Sequence, residues 1–153
     1  FSNTKRRCVM YKKILVPLDG SPLAEAVLPH AEALAKSEGA EIVLLRVAVT
    51  PARYLFAHNP AEGNNVIKMI EKEAKDYMEA EVAKLQDEGV KVTGITRDGA
   101  APDEILEVAE ETHADVIAMS THGRSGVQRW LMGSVAEKVV HHSHIPVMLI
   151  HPN

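Results

Sequence analysis

Cysteine is all but missing from this chain of 153 residues, and the one present, Cys8, lies in the first nine. That excludes a disulfide framework or a cysteine metal site and fits a reducing compartment. Long apolar runs are missing as well. None reaches the roughly 18 residues of a membrane span, and MYKKILVPLDG puts Pro17 and Asp19 where a signal peptide needs apolar continuity. No membrane association is expected, and the plain reading is cytoplasmic. Excess positive charge is absent too. The 17 Lys and Arg face 21 Asp and Glu for a net −4, and without the first nine residues 14 basic residues face 21 acidic ones, net −7. An acidic body argues against nonspecific nucleic-acid binding. Neither common phosphate fingerprint occurs: no G-x-G-x-x-G follows the first apolar run, and no glycine precedes Lys and Ser or Thr as in a P-loop. Internal repeats, low-complexity tracts and a second composition regime are also lacking.

What is present is a regular alternation. KILVPL (13–18), AEIVLLRV (40–47), VKVTGIT (90–96), DVIAMS (115–120) and IPVMLI (145–150) are short runs rich in Val, Ile and Leu, the composition of buried strands. Between them, helical periods run over about 22–38, 65–88, 102–113 and 133–143. Ser21-Pro22 offers a cap followed by proline, Pro102-Asp103-Glu104 puts proline and acids in a first turn, and Ser134 precedes an apolar face. Gly39 and Gly89 stand where two helices should stop. Strands apolar on both faces, alternating with helices, predict right-handed crossovers and a parallel sheet covered on both sides. Residues 10–153 read as a single domain. The stretch 1–9, FSNTKRRCV, has no period, and Met10 resembles a natural start, so a disordered or expression-derived tail is expected. Residues 50–64 are the longest unpatterned piece: a lid, an interface element or a loose connection.

Ligands of such sheets bind outside the carboxyl ends of the strands. There the first strand delivers Pro17, Leu18 and Asp19, the second ends at Val47, the third leads to Asp98-Gly99, and the fourth runs into Met119-Ser120-Thr121-His122-Gly123. The following loop, with Arg124, Gly126, Arg129 and Trp130, enters a helix at Gly133-Ser134. Glycines beside a helix N-terminus suit an anion, because free N–H donors there carry about half a positive charge.

Three separated segments, YKKILVPLDGS with AEAVLPHAEALAK, GAAPDEILEVAEETHADVIAMSTHGRSG, and GSVAEKVVHHSHIPVMLI, give the chain a clear likeness. Over residues 11–151 it resembles the universal stress protein family of the adenine nucleotide alpha hydrolase-like group. The resemblance implies an open five-stranded Rossmann-like α/β sheet of order 3-2-1-4-5. It also implies a bound adenine nucleotide, ATP or AMP. The family's ATP-binding branch carries glycine, two residues, glycine, nine residues, then glycine with Ser or Thr. Here 124–132 are the nine, Gly123 and Gly133-Ser134 fit, and the first glycine is replaced by Ser120. By this likeness Asp19 contacts the nucleoside or a metal, Val47 offers backbone groups to adenine, and Met119 lines the base or sugar. Gly123, Gly133, Ser134 and Val135 cradle phosphate, and Mg²⁺ or Mn²⁺ bridges it. Pro17, Leu18, Gly99, Ser120, His122 and Arg124 complete the candidate set. Read from the residues alone, Asp19 as a cap, Met119 as core and Ser134 as an N-cap stay open.

The histidines carry less. His141, His142 and His144 sit where a helix C-terminus favours positive charge, and Pro146 leaves little room for ligand spacing. Ser120 and His122 lack a positioned acid for a hydrolytic pair. No water-positioning carboxylate or glutamine marks the phosphate loop, so a binding and signalling module is favoured over efficient catalysis. A slow hydrolase and a nucleotide-free dimeric scaffold are the alternatives. The apolar strand 145–151, with nothing left to cover its edge, predicts a homodimer.

Overall fold

The computed structural model describes residues 10–49, 60–123 and 132–152. Its elements are β1 (Lys13–Leu18), α1 (Pro22–Glu25), α2 (Leu28–Glu38), β2 (Glu41–Ala48), α3 (Pro60–Asp87), β3 (Val92–Asp98), α4 (Ala101–Glu111), β4 (Val116–Ser120), α5 (Ser134–His142) and β5 (Val147–Ile150). The five strands pair in parallel in the order β3-β2-β1-β4-β5, the α/β architecture expected from the alternation.

Two cores follow from the period-2 geometry of strands. Ile14, Val16, Ile42 and Leu44 face Ala24, Leu28, Ala31, Met78 and Leu85 of α1, α2 and α3. Leu15, Val43, Leu45 and Ile117 face Ile105 and Val108 of α4 and Ala136 and Val139 of α5. Because β1 is central and covered twice, Ile14, Leu15 and Val16 are all fully buried. That burial explains the run of adjacent apolar residues where a half-exposed strand would alternate.

The structure departs from the sequence reading at helix boundaries. The helix expected over 22–38 is two, because a continuous one would place Pro29 inside it, without an N–H and against the carbonyl of Glu25. Instead α1 ends at Glu25 and α2 restarts with Pro29 in its first turn. The helix expected from 65 begins at Pro60, with Glu62 in its first turn. Gly63 and Asn64, read as loop residues, are absorbed into a helix long enough to outvote them. Residues 60–64 thus leave the loop proposed over 50–64. The rest of that loop, and the tail 1–9, lie outside the described residues. The N-cap of α5 is Gly133, with Ser134 the first helical residue, so Ser134 is not the cap. No helix among the described residues is long and apolar enough to cross a membrane.

Candidate functional site

β1 pairs with β2 only as far as Leu18↔Arg46, while β2 runs on to Ala48. Past the end of β1 the chain opens a cavity of about 420 Å³, bounded by the carboxyl ends of β1, β2 and β4 and the first turns of α4 and α5. Of the candidate residues, Pro17, Leu18, Asp19, Val47, Met119, Ser120, His122, Gly123, Gly133, Ser134 and Val135 line it. Gly99 does not line it. Its φ of 153° is open to glycine, and a Cβ there would lie 2.5 Å from Oε1 of Glu104, so this glycine serves the turn into α4. Arg124, with Gly126, Arg129 and Trp130, lies outside the described residues.

The wall toward α5 is made of donors. Gly133 has φ −62° and ψ 151°, and no side chain caps the helix. Its N–H donates to the carbonyl of Thr121 at 2.7 Å, and its own carbonyl accepts from the Glu137 amide at 2.9 Å. The N–H groups of the first turn, which an α-helix cannot satisfy internally, belong to residues 134–136, all on the cavity wall. Space, not conformation, is at stake in both glycines of this wall. A Cβ on Gly133 would stand 2.7 Å from the Thr121 carbonyl oxygen, and one on Gly123 would collide with Oδ2 of Asp19.

Asp19 has a capping role. Its Oδ1 accepts from the Ser21 amide at 2.9 Å and the Ser21 hydroxyl at 2.6 Å, and Ser21 Oγ accepts from the Ala24 amide at 3.2 Å. One carboxylate oxygen therefore steadies the head of α1 while the other faces Gly123. Met119 is likewise both core and wall.

Ser120 is buried, and its hydroxyl accepts from the His122 amide at 3.3 Å. The His122 ring turns elsewhere: Nδ1 lies 2.8 Å from Thr121 Oγ1, which lies 3.0 Å from His151 Nδ1. Ser120 and His122 thus form no nucleophile and base pair. The hydroxyl is tied to the loop's own backbone, so Ser120→Gly is expected to change nucleotide affinity by less than about tenfold, roughly 1.4 kcal/mol. It should also cost about 1 kcal/mol of stability through the lost bond and added chain freedom. Calorimetry and thermal unfolding of the variant check both. Binding that appears only in the variant would mean that the serine blocks the site.

Sequence reasoning missed Arg46. It is 5% exposed and lines the cavity from β2. Its Nη2 lies 3.4 Å from Glu73 Oε2, its Nη1 donates to the Val47 carbonyl at 3.4 Å, and its guanidinium stands 5.9 Å from the centre of the Tyr77 ring. Tyr77 donates to Glu25 at 2.8 Å, and burial, reinforced by that bond, pushes its pKa well above the usual phenol range. Two buried polar atoms among the described residues have no hydrogen-bond partner, Arg46 Nε and His122 Nε2, and both residues line the cavity. A cation inside the apolar run AEIVLLRV was the available signal, since a charge is rare in a doubly covered strand. No group of three or more His, Cys, Asp or Glu fit to hold a metal occurs among the described residues.

A doubly wound parallel sheet with a cavity past its strand ends defines an α/β domain of the kind whose ligands bind at that place. The model of the universal stress protein family matches residues 10–151, and the chain belongs to that family. It is 38% identical to universal stress protein MJ0531 of Methanocaldococcus jannaschii over 92% of this chain and 82% of that one. To MJ0577 of the same organism it is 35% identical, over 93% and 96% of the two chains. The solved structure of MJ0577 superposes with a TM-score of 0.85, covering 95% of this chain and 99% of that one. A universal stress protein from Archaeoglobus fulgidus, solved in complex with dAMP, shares the fold at 23% identity, with a TM-score of 0.68 and coverage of 93% and 99%.

Proposed function

We propose that the cavity binds an adenine nucleotide, ATP or AMP, and that the protein is a cytoplasmic, homodimeric stress-response or signalling module in which occupancy matters more than turnover. The observation that carries this reading is the uncapped first turn of α5, whose residues 134–136 share one cavity with the apolar Val47, Ile105 and Met119. Donors with a fractional positive charge suit phosphate, and an apolar slot suits a base. The dAMP complex of the Archaeoglobus relative is in keeping with it. Gly123, Gly133, Ser134 and Val135 then meet the phosphates, while Pro17, Leu18, Val47 and Met119 meet the nucleoside.

Asp19 is the carboxylate on this wall next to Gly123, and a Mg²⁺ or Mn²⁺ ion held there takes most of its remaining oxygens from phosphate and water. Mass spectrometry of ligand released on denaturation, with calorimetry for AMP and ATP, tests the reading. One adenine nucleotide per chain is expected, and no heat from either nucleotide would overturn it. Its conversion over hours measures any hydrolysis. Asp19→Ala is expected to weaken ATP binding more in Mg²⁺ than in EDTA. It should also cost about 1–3 kcal/mol of stability through the lost Ser21 bonds. An equal loss of affinity in both conditions would assign Asp19 to the nucleoside or to capping alone.

A further inference from the structure

The phosphate wall leaves the opposite end of the cavity unexplained, and Arg46 stands there. β2 is two strands away from β4, roughly 10 Å at the ~4.8 Å spacing of neighbouring strands, so a ligand held at α5 reaches Arg46 with its far end. The Ala48 carbonyl accepts from the Gly99 amide at 3.4 Å, on the β3 side. Successive carbonyls of a strand alternate, so that of Val47 points the other way, past the end of β1 and into the opening. There it accepts from Arg46 Nη1.

The base end of the cavity therefore presents a shared carbonyl with a guanidinium beside it. Glu73 lies on the other arm of that guanidinium, and the pair is formally neutral. A second phosphate would be repelled by the Glu73 carboxylate, whereas a neutral carbonyl acceptor brings no net charge against it and can still share the guanidinium. Arginine is the side chain whose fork matches the O6 and N7 edge of an oxopurine, and Arg46 Nε is buried with no hydrogen-bond partner. A carbonyl has two lone pairs, so the second one on Val47 still accepts from a 6-amino group.

We infer that the site takes 6-oxopurine nucleotides as well as adenine nucleotides, with Arg46 as the residue that recognises the oxo group. The inference rests on the nucleotide reading above.

The test titrates wild type and Arg46→Met with adenosine monophosphate and inosine monophosphate, which differ at the 6-position of the base. Methionine fills a similar space without donors, and Glu73, whose side chain is 56% exposed, is left able to hydrate. Wild type is expected to bind both nucleotides. In Arg46→Met the inosine nucleotide should lose about tenfold and the adenosine nucleotide less than about threefold. Should that variant not fold, Glu73→Gln on the helix surface carries the test. Freeing the guanidinium from its carboxylate should then raise the affinity for the inosine nucleotide relative to the adenosine one. Wild type that binds the adenosine nucleotide alone, or a ratio unchanged in the folded variant, would overturn the role of Arg46 and leave the nucleotide site standing. Binding of neither nucleotide to wild type would overturn both.

Discussion

Gly133→Ala is expected to lower nucleotide affinity at least 100-fold while the chain still folds. The glycine is not needed for its dihedrals, since φ −62° and ψ 151° are open to any residue. It is needed for space: the added Cβ would sit 2.7 Å from the Thr121 carbonyl oxygen, and that neighbour is backbone, unable to swing away. Relief requires Gly133 and Thr121 to separate, which stretches the 2.7 Å bond between them. The first turn of α5 then moves relative to the end of β4, and with it every donor meant for phosphate. A loss of 100-fold corresponds to about 2.8 kcal/mol, within reach of a few misplaced charge-assisted hydrogen bonds. Replacing a glycine N-cap by alanine adds about 1 kcal/mol of destabilisation, so a lower melting temperature should accompany the loss. Calorimetry and circular dichroism read the two effects separately. A folded variant with undiminished affinity would remove phosphate from the head of α5.

Much of this site was legible because its residues follow directly from strand ends. Runs such as Ile14–Val16 and Val43–Leu45 are apolar at successive positions, which only a doubly covered strand requires. Four such runs and the alternating VKVTGIT, separated by helices, leave little freedom of topology. The residues at or just past the ends of three runs, Asp19, Val47 and Ser120 to Gly123, therefore fell at one end of the sheet whatever the helix limits were. Those limits read less well. Pro29 looked like an interior residue of a helix begun at Pro22, when it marks the start of a second one. Gly63-Asn64-Asn65 look like a turn locally, and only the 28-residue helix around them overrides that preference.

Gly99, which does not line the cavity, and Arg46, which does, read less well for a different reason. A glycine at a strand end was read as ligand space, yet its neighbour in three dimensions is Glu104 of the same turn. An arginine inside a strand was read as part of an apolar run, yet period 2 places it on the face opposite Val47, over Tyr77. For Arg46 the deciding partner is set by side-chain direction, which strand periodicity supplies and composition does not.

The strand that closes the sheet carries the other large effect: Leu149→Pro is expected to turn a homodimer built through residues 145–151 into a folded monomer. Among the described residues β5 pairs with β4 alone and forms one edge of the sheet. The carbonyls of Pro146 and Ile150 accept from the amides of Ile117, at 3.0 Å, and Thr121, at 2.9 Å. In a parallel ladder these inward groups alternate with outward ones, so the N–H and C=O of Val147 and Leu149 face away from the sheet. Val147 to Ile150 is an uncharged apolar sequence with no proline inside it, and such an edge invites pairing. A second copy meeting it about a two-fold axis satisfies those groups in a closed, self-complementary contact.

Proline at 149 removes one outward donor and leaves the bonds to β4 in place, the situation in which strands tolerate it. Lysines at 148 and 150 would be a poorer test, because Met148 and Ile150 pack against the core beside β1. Leu149 packs against the opposite core, so Leu149→Ala serves as the control for lost packing and should remain dimeric. Light scattering over a range of concentrations, with circular dichroism for folding, reads the result. A proline variant that stays dimeric would place the interface on another surface. An alanine variant that dissociates equally would assign the effect to packing and not to the open edge.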